Sequence, residues 1–181
     1  MSGPRNPGDP DPRQQVERVI RVDQAGEFGA TRIYAGQLAV LPRNSPAAKL
    51  VSRMADQEKR HLERFDALMS ARRVRPTVLQ PIWNVAGFAL GAATALISPE
   101  AAMACTDAVE TEIDRHYQRQ LDDLGDKDPE LSADIAEFRA EELEHRDTAR
   151  SAGAARAPAY PLLTGAIRAA CRVAIALSKR I

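Results

Sequence analysis

Aromatic side chains make up only 4% of the 181 residues, and the chain has two cysteines, one tryptophan, three histidines and no net charge. Few aromatics and frequent alanine favour helices over strands. Cys105 and Cys171 stand far apart in the sequence and unaccompanied. That excludes a disulfide framework and a Cys-rich iron–sulfur or zinc motif, and suits buried, reduced thiols on a cytosolic face. Twenty-five basic residues balance 25 acidic ones, so no basic excess exists to hold nucleic acid, which is excluded as a partner. The first residues lack the apolar run of a signal peptide and the Arg-rich amphipathic pattern of a transit peptide. Pro4, Pro7, Pro10 and Pro12 among polar neighbours predict a disordered lead over residues 1–12. Residues 13–181 are long enough to form one domain around its own core.

What remains is helical, with proline and glycine as punctuation. The first helix is predicted from Arg13 to Leu41, stopped by Pro42. The second starts at Pro46 behind Asn44 or Ser45 and ends near Arg73. Pro76 and Pro81 break the chain before a third helix, from Ile82 to Ile97. Ser98-Pro99-Glu100 opens a fourth, which Gly125 stops after Leu124. Asp128-Pro129-Glu130 opens a fifth, ending near Ser151, and a sixth runs from Pro161 to the end.

One pattern is written twice along these helices. Glu27 is followed after 31 positions by Glu58-x-x-His61, and Glu110 after 32 positions by Glu142-x-x-His145. The third and sixth helices repeat at the same interval, so the duplication covers three helices and three. Each candidate falls on a core-facing stripe. Met54, Glu58, His61, Phe65 and Leu68 step by four and three, as do Ile135, Phe138, Glu142, His145 and Ala149. Four ionised carboxylates in an apolar interior repel one another and are far too costly to leave uncompensated. Two divalent cations remove that cost. One Glu from each of two helices, with Glu-x-x-His from each of two others, is the ligand set of a ferritin-like dimetal carboxylate bundle. The expectation is an all-α, four-helix bundle with Glu27, Glu58, His61, Glu110, Glu142 and His145 as metal ligands, plus two additional helices. Carboxylate and imidazole ligands suit iron or manganese, and spacing alone does not choose between them. A single Glu-x-x-His is ordinary helix surface; two copies with matched upstream glutamates are not.

Nearby residues admit two readings each. Tyr117, seven residues after Glu110 on the same face, is a candidate catalytic side chain or a core tyrosine. Asp23 and Asp107 either accept the second N–H of each histidine or lie on a solvated face. His116 faces away from the stripe, exposed or at one remove from the site. Gly26 and Gly29 cost about 1 kcal/mol each inside a helix, for close packing or for room beside Glu27.

No charged residue occurs from Pro76 to Pro99. The stretch is long enough to span a bilayer, but Pro81, Asn84, Gly87 and Gly91 make it a poor spanning helix. It is predicted to lie against the bundle with an exposed apolar face, the alternative being a fully buried core helix. Its repeat partner carries Leu163, Ile167, Ala170, Ala174, Leu177 and Ile181 on one stripe and Arg168, Arg172, Lys179 and Arg180 elsewhere. This suits an anionic membrane surface or a partner protein. No nucleotide-binding glycine loop is present, so electrons for oxygen chemistry must come from another protein, a diffusing reductant such as NADH, or a reduced substrate.

Longer strings resemble one family. Arg21-Val-Asp-Gln-Ala-Gly-Glu27-Phe-Gly-Ala, Ile33-Tyr-Ala-Gly-Gln, Asp56-Gln-Glu58-Lys-Arg-His61, Trp83-Asn-Val-Ala-Gly-Phe-Ala-Leu-Gly and Glu141-Glu142-Leu-Glu-His145 are similar to the demethoxyubiquinone hydroxylases of ubiquinone biosynthesis. The resemblance runs from about Val16 to Ile181. It implies a ferritin-like fold with two irons, one held by Glu27 and His61, the other by Glu110 and His145, with Glu58 and Glu142 bridging. It also implies oxygen-dependent hydroxylation of a polyprenyl benzoquinol ring and peripheral attachment to a membrane. In a bacterium that is the cytoplasmic face of the cell membrane; in a eukaryote it is the matrix face of the inner mitochondrial membrane. Eukaryotic members work with a lipid-binding partner, and some bacterial relatives hydroxylate more than one ring position. Gln24 departs from the family's usual Asp-His-Ala-Gly-Glu. Homo-oligomer formation is left open. The rival readings are a ferritin-like ferroxidase or iron-handling protein, a manganese catalase, and a membrane-bound scaffold with structural metals.

Overall fold

The computed structural model describes residues 11–180. The lead expected over residues 1–12 lies outside the described residues, except that Asp11 and Pro12 already belong to the start of the first helix. Among the described residues there are six α-helices and no strand: α1 Pro12–Val40, α2 Pro46–Arg72, α3 Gln80–Ile97, α4 Pro99–Leu124, α5 Pro129–Ser151 and α6 Tyr160–Ser178.

Every helix carries a proline in its first turn, where the missing N–H would have had no partner anyway. Asp11, Ser45, Ser98 and Asp128 cap four of them by accepting from the backbone N–H of Arg13, Ala48, Ala101 and Leu131. Such caps are worth about 1 kcal/mol each. The same rule corrects one boundary. Pro81 does not break the chain ahead of α3 but sits in its first turn, so α3 begins at Gln80. α6 stops at Ser178, short of the predicted run to the end.

The threefold units repeat in space. α1 packs on α2 and α3, while α4 packs on α5 and α6, and α3 also reaches α4. α1, α2, α4 and α5 enclose two apolar clusters. One contains Tyr34, Val51, Met54 and Met103; the other contains Ile20, Phe65, Leu124 and Ile135. On each of the four helices the Glu or His candidates fall between members of the two clusters. α3 crosses α1 closely because glycines face each other's backbone. A Cβ at Gly36 would overlap Phe88 O, and one at Gly91 would overlap Ile33 O. The opposite face of α3 is bare: Val85 is 69% and Leu96 73% exposed. α6 exposes Leu162, Val173 and Leu177 in the same way. Trp83 Nε1 of α3 donates to Ser178 Oγ of α6 at 3.2 Å.

Candidate metal centre

The four bundle helices bring Glu27, Glu58, His61, Glu110, Glu142 and His145 to one place, none of them more than 3% exposed. They form two interlocking groups. Glu27, Glu58, His61 and Glu142 each offer a ligand atom within 4.8 Å of the others, and so do Glu58, Glu110, Glu142 and His145. Glu58 and Glu142 belong to both. His61 Nδ1 lies 3.4 Å from Glu27 and 3.1 Å from Glu142, and His145 Nδ1 lies 3.2 Å from Glu58 and 3.1 Å from Glu142. Both imidazoles therefore turn the same nitrogen inward.

The outer atoms are anchored by hydrogen bonds. Tyr117 Oη donates to Glu27 Oε1, and Tyr34 Oη donates to Glu110 Oε1 at 2.8 Å. Tyr34 was not among the sequence-based candidates. The signal was present, since it follows Glu27 by the same seven residues that separate Glu110 from Tyr117. His61 Nε2 meets Glu141 Oε2 at 2.8 Å, and His145 Nε2 meets Gln57 Oε1 at 3.0 Å. These outer partners were also missed, and neither Asp23 nor Asp107 takes that role. Both aspartates are buried rather than solvated. Asp23 accepts from Gln120 Nε2 at 2.7 Å and lies 3.3 Å from His116 Nε2. Asp107 accepts from Arg150 Nε at 2.7 Å and from the Tyr160 hydroxyl. His116 is buried as well, at 2% exposure, because it fills the space beside Asp23 and Tyr117.

The cluster is electrostatically unsettled without cations. Burial, then repulsion from Glu142 and Glu27, lifts the Glu58 carboxyl well above the usual range. Burial and Glu142 do the same to Glu110. For Glu142 burial acts upward too, yet the hydrogen bonds from His145 and His61 carry it down to about 2. His61 would be lowered by burial, but Glu142 and Glu27 raise it to about 10. Neither oxygen of Glu58 has a satisfactory hydrogen-bond donor. Buried acceptors are normally satisfied, so an oxygen-rich, donor-poor centre of this kind fits divalent cations with O and N ligands.

Beside the centre is an apolar cavity of about 180 Å³, lined by Gly26, Gly29, Trp83, Gly87, Ala170 and Cys171 among others. A Cβ at Gly26 or Gly29 would meet nothing within 4 Å, so these two glycines leave room and do not serve close packing. Ala30, Ile33 and Val109 of the cavity lining also pack beside Glu110. Cys171 and Cys105, distant in sequence, meet in one apolar cluster. Arg168 and Arg172 of α6 are engaged by the buried Glu112 Oε1 at 2.7 and 3.0 Å.

Four carboxylates and two imidazoles drawn from four bundle helices are the side-chain set of the dimetal carboxylate class of helical proteins. Comparison with known proteins narrows this. The chain belongs to the COQ7 family: residues 14–178 match the family described as ubiquinone biosynthesis protein COQ7. It is 55% identical over 177 residues to a 3-demethoxyubiquinol 3-hydroxylase of Rhodospirillum rubrum, covering 98% of this chain and 84% of that one. It is 57% identical over 172 residues to the mitochondrial NADPH-dependent 3-demethoxyubiquinone 3-hydroxylase of Mus musculus, covering 93% and 79%. Identity to the mitochondrial 5-demethoxyubiquinone hydroxylase of Saccharomyces cerevisiae is 48% over 182 residues, covering 92% and 78%.

Proposed function

We propose that this chain is a 3-demethoxyubiquinol 3-hydroxylase, adding the ring hydroxyl group in ubiquinone biosynthesis. Glu27 and His61 would hold one iron, Glu110 and His145 the other, and Glu58 and Glu142 would bridge them. The observation that carries this reading is the sharing of Glu58 and Glu142 between two four-residue groups, since a carboxylate common to both groups can bridge two cations. Bound iron supplies the reduction of molecular oxygen that hydroxylation requires. Overall, quinol, oxygen, two electrons and two protons give hydroxyquinol and water. The electrons come from an external reductant. The mouse relative's name specifies NADPH, so a nicotinamide dinucleotide is assigned here.

The chain's own residues do the rest. Tyr117 and Tyr34 fix the orientation of the two terminal glutamates. Gly26 and Gly29 open the helix face beside Glu27 to the apolar cavity, which takes the quinol ring and excludes water. The bare apolar faces of α3 and α6 meet the membrane and admit the polyprenyl tail. Both helices are long and apolar enough to cross a bilayer, yet each lies along the bundle, which favours peripheral attachment.

The test is turnover with isotopic oxygen. Iron-loaded protein given a demethoxyubiquinol, NADPH or NADH and labelled O₂ should yield product carrying one labelled oxygen by mass spectrometry. Label arriving from water instead, or iron oxidation with no organic product, contradicts the assignment.

A further inference from the structure

The two halves of the repeat differ at the position that meets each histidine from outside. Gln57 immediately precedes Glu58 on α2, and Glu141 immediately precedes Glu142 on α5. They are equivalent positions, and each reaches across to the histidine of the other helix. His61 Nε2 meets a carboxylate oxygen of Glu141 at 2.8 Å, whereas His145 Nε2 meets an amide oxygen of Gln57 at 3.0 Å. The geometry is conserved between the halves and the charge is not.

This difference acts on the inward nitrogens. An ionised carboxylate accepts more strongly than an amide oxygen, so it makes His61 the more electron-rich ligand. It also places an extra negative charge behind one half of the centre only. Arg60 Nη2 holds Glu141 from outside, at 3.1 and 3.3 Å, but Arg60 is largely exposed and solvent screens it. The His61 ring is further fixed by stacking on Phe138, with centroids 4.1 Å apart. His145 has only an edge contact with Tyr34 at 6.3 Å.

We infer that Glu141 is a positioning residue that makes the two halves unequal, so that a divalent cation binds first and more tightly at the Glu27–His61 side. Gln57 leaves the Glu110–His145 side the weaker, exchangeable position. This rests on reading the six residues as a metal centre.

The test is anaerobic calorimetric titration of metal-free full chain with Fe(II), repeated with Co(II) followed by visible absorption. Wild-type protein should bind two cations in steps at least about tenfold apart. Glu141→Gln should weaken the first step by about 10–100-fold and merge it with the second. Glu141→Asp should restore part of the separation, and Gln57→Glu should strengthen the second step. Arg60→Ala, which removes the outer ion pair but keeps the histidine's acceptor, should leave the first step in place. Circular dichroism confirms that each variant is folded. Two equal steps in the wild type, an unchanged first step in Glu141→Gln, or equal weakening by Arg60→Ala would each overturn the inference. Failure of the wild type to bind any cation would instead remove the metal-centre reading, and the inference with it.

Discussion

Tyr34 on α1 donates its hydroxyl to Glu110 on α4 at 2.8 Å, and the equivalent Tyr117 on α4 donates to Glu27 on α1. Each tyrosine stands seven residues beyond a glutamate of its own helix yet serves the glutamate of the other. The two halves of the repeat are thus cross-tied at the centre. Removing either hydroxyl strands a buried carboxyl oxygen, at a cost of about 1–3 kcal/mol. Tyr34→Phe and Tyr117→Phe should each lower the urea midpoint of the metal-free protein, and to a similar extent. An unchanged midpoint in both would mean that these contacts do not stabilise the bundle.

Glycine positions should divide into two behaviours. Gly91→Ala drives a methyl group into the backbone carbonyl of Ile33. Such overpacking costs about 1–3 kcal/mol, visible in chemical denaturation followed by circular dichroism. Gly29→Ala meets open space and should stabilise the helix by up to about 1 kcal/mol. Because Gly29 lines the cavity, Gly29→Leu should reduce hydroxylation of the quinol while the protein stays folded. Full turnover in that variant would move the substrate elsewhere.

The metal-free protein should lose stability as pH rises. Glu58 and Glu110 hold protons above their usual range in the folded state. The folded chain therefore binds more protons than the unfolded one above the ordinary carboxylate range, near pH 4.5. His61, raised from 6.5 to about 10, adds stability that is complete below about pH 6.5 and disappears as pH passes through 10. All three act in one direction, so the urea midpoint should fall between pH 6.5 and 10. Cations displace these protons, and saturation with metal should flatten the slope. A midpoint that rises with pH in the metal-free form would contradict this.

Both thiols should be sluggish. Burial pushes Cys105 and Cys171 up to about 12, leaving little thiolate at pH 8. Alkylation by iodoacetamide should be slow in the native protein and rapid after unfolding. Fast native labelling of Cys105 would show that its cluster opens.

Much of this architecture is legible in the sequence, because it is carried by local rules. Ser45, Ser98 and Asp128 each precede a proline and mark helix starts, and the paired Glu-x-x-His spacing places the six central residues on inward stripes. Pro81 misleads because the same residue breaks a chain and begins a helix, and only packing of α3 on α1 separates the two outcomes. Gln57 and Glu141 are illegible for another reason. Their partners lie on other helices, and the register between helices is set by side-chain packing that a single-helix periodicity does not contain. The same holds for Asp23 with His116 and for Glu112 with Arg168 and Arg172. Each sets a buried acidic side chain against a partner on another helix, and read alone the members look like ordinary helix surface.

The most direct measurement is the mass of the intact chain after anaerobic loading with Fe(II), recorded by native mass spectrometry. Two irons per chain are predicted, falling to one or none in Glu142→Ala while the helical content is kept. A wild-type chain that carries no iron, or only one, or a Glu142→Ala chain that still carries two, would contradict a centre built on shared carboxylates.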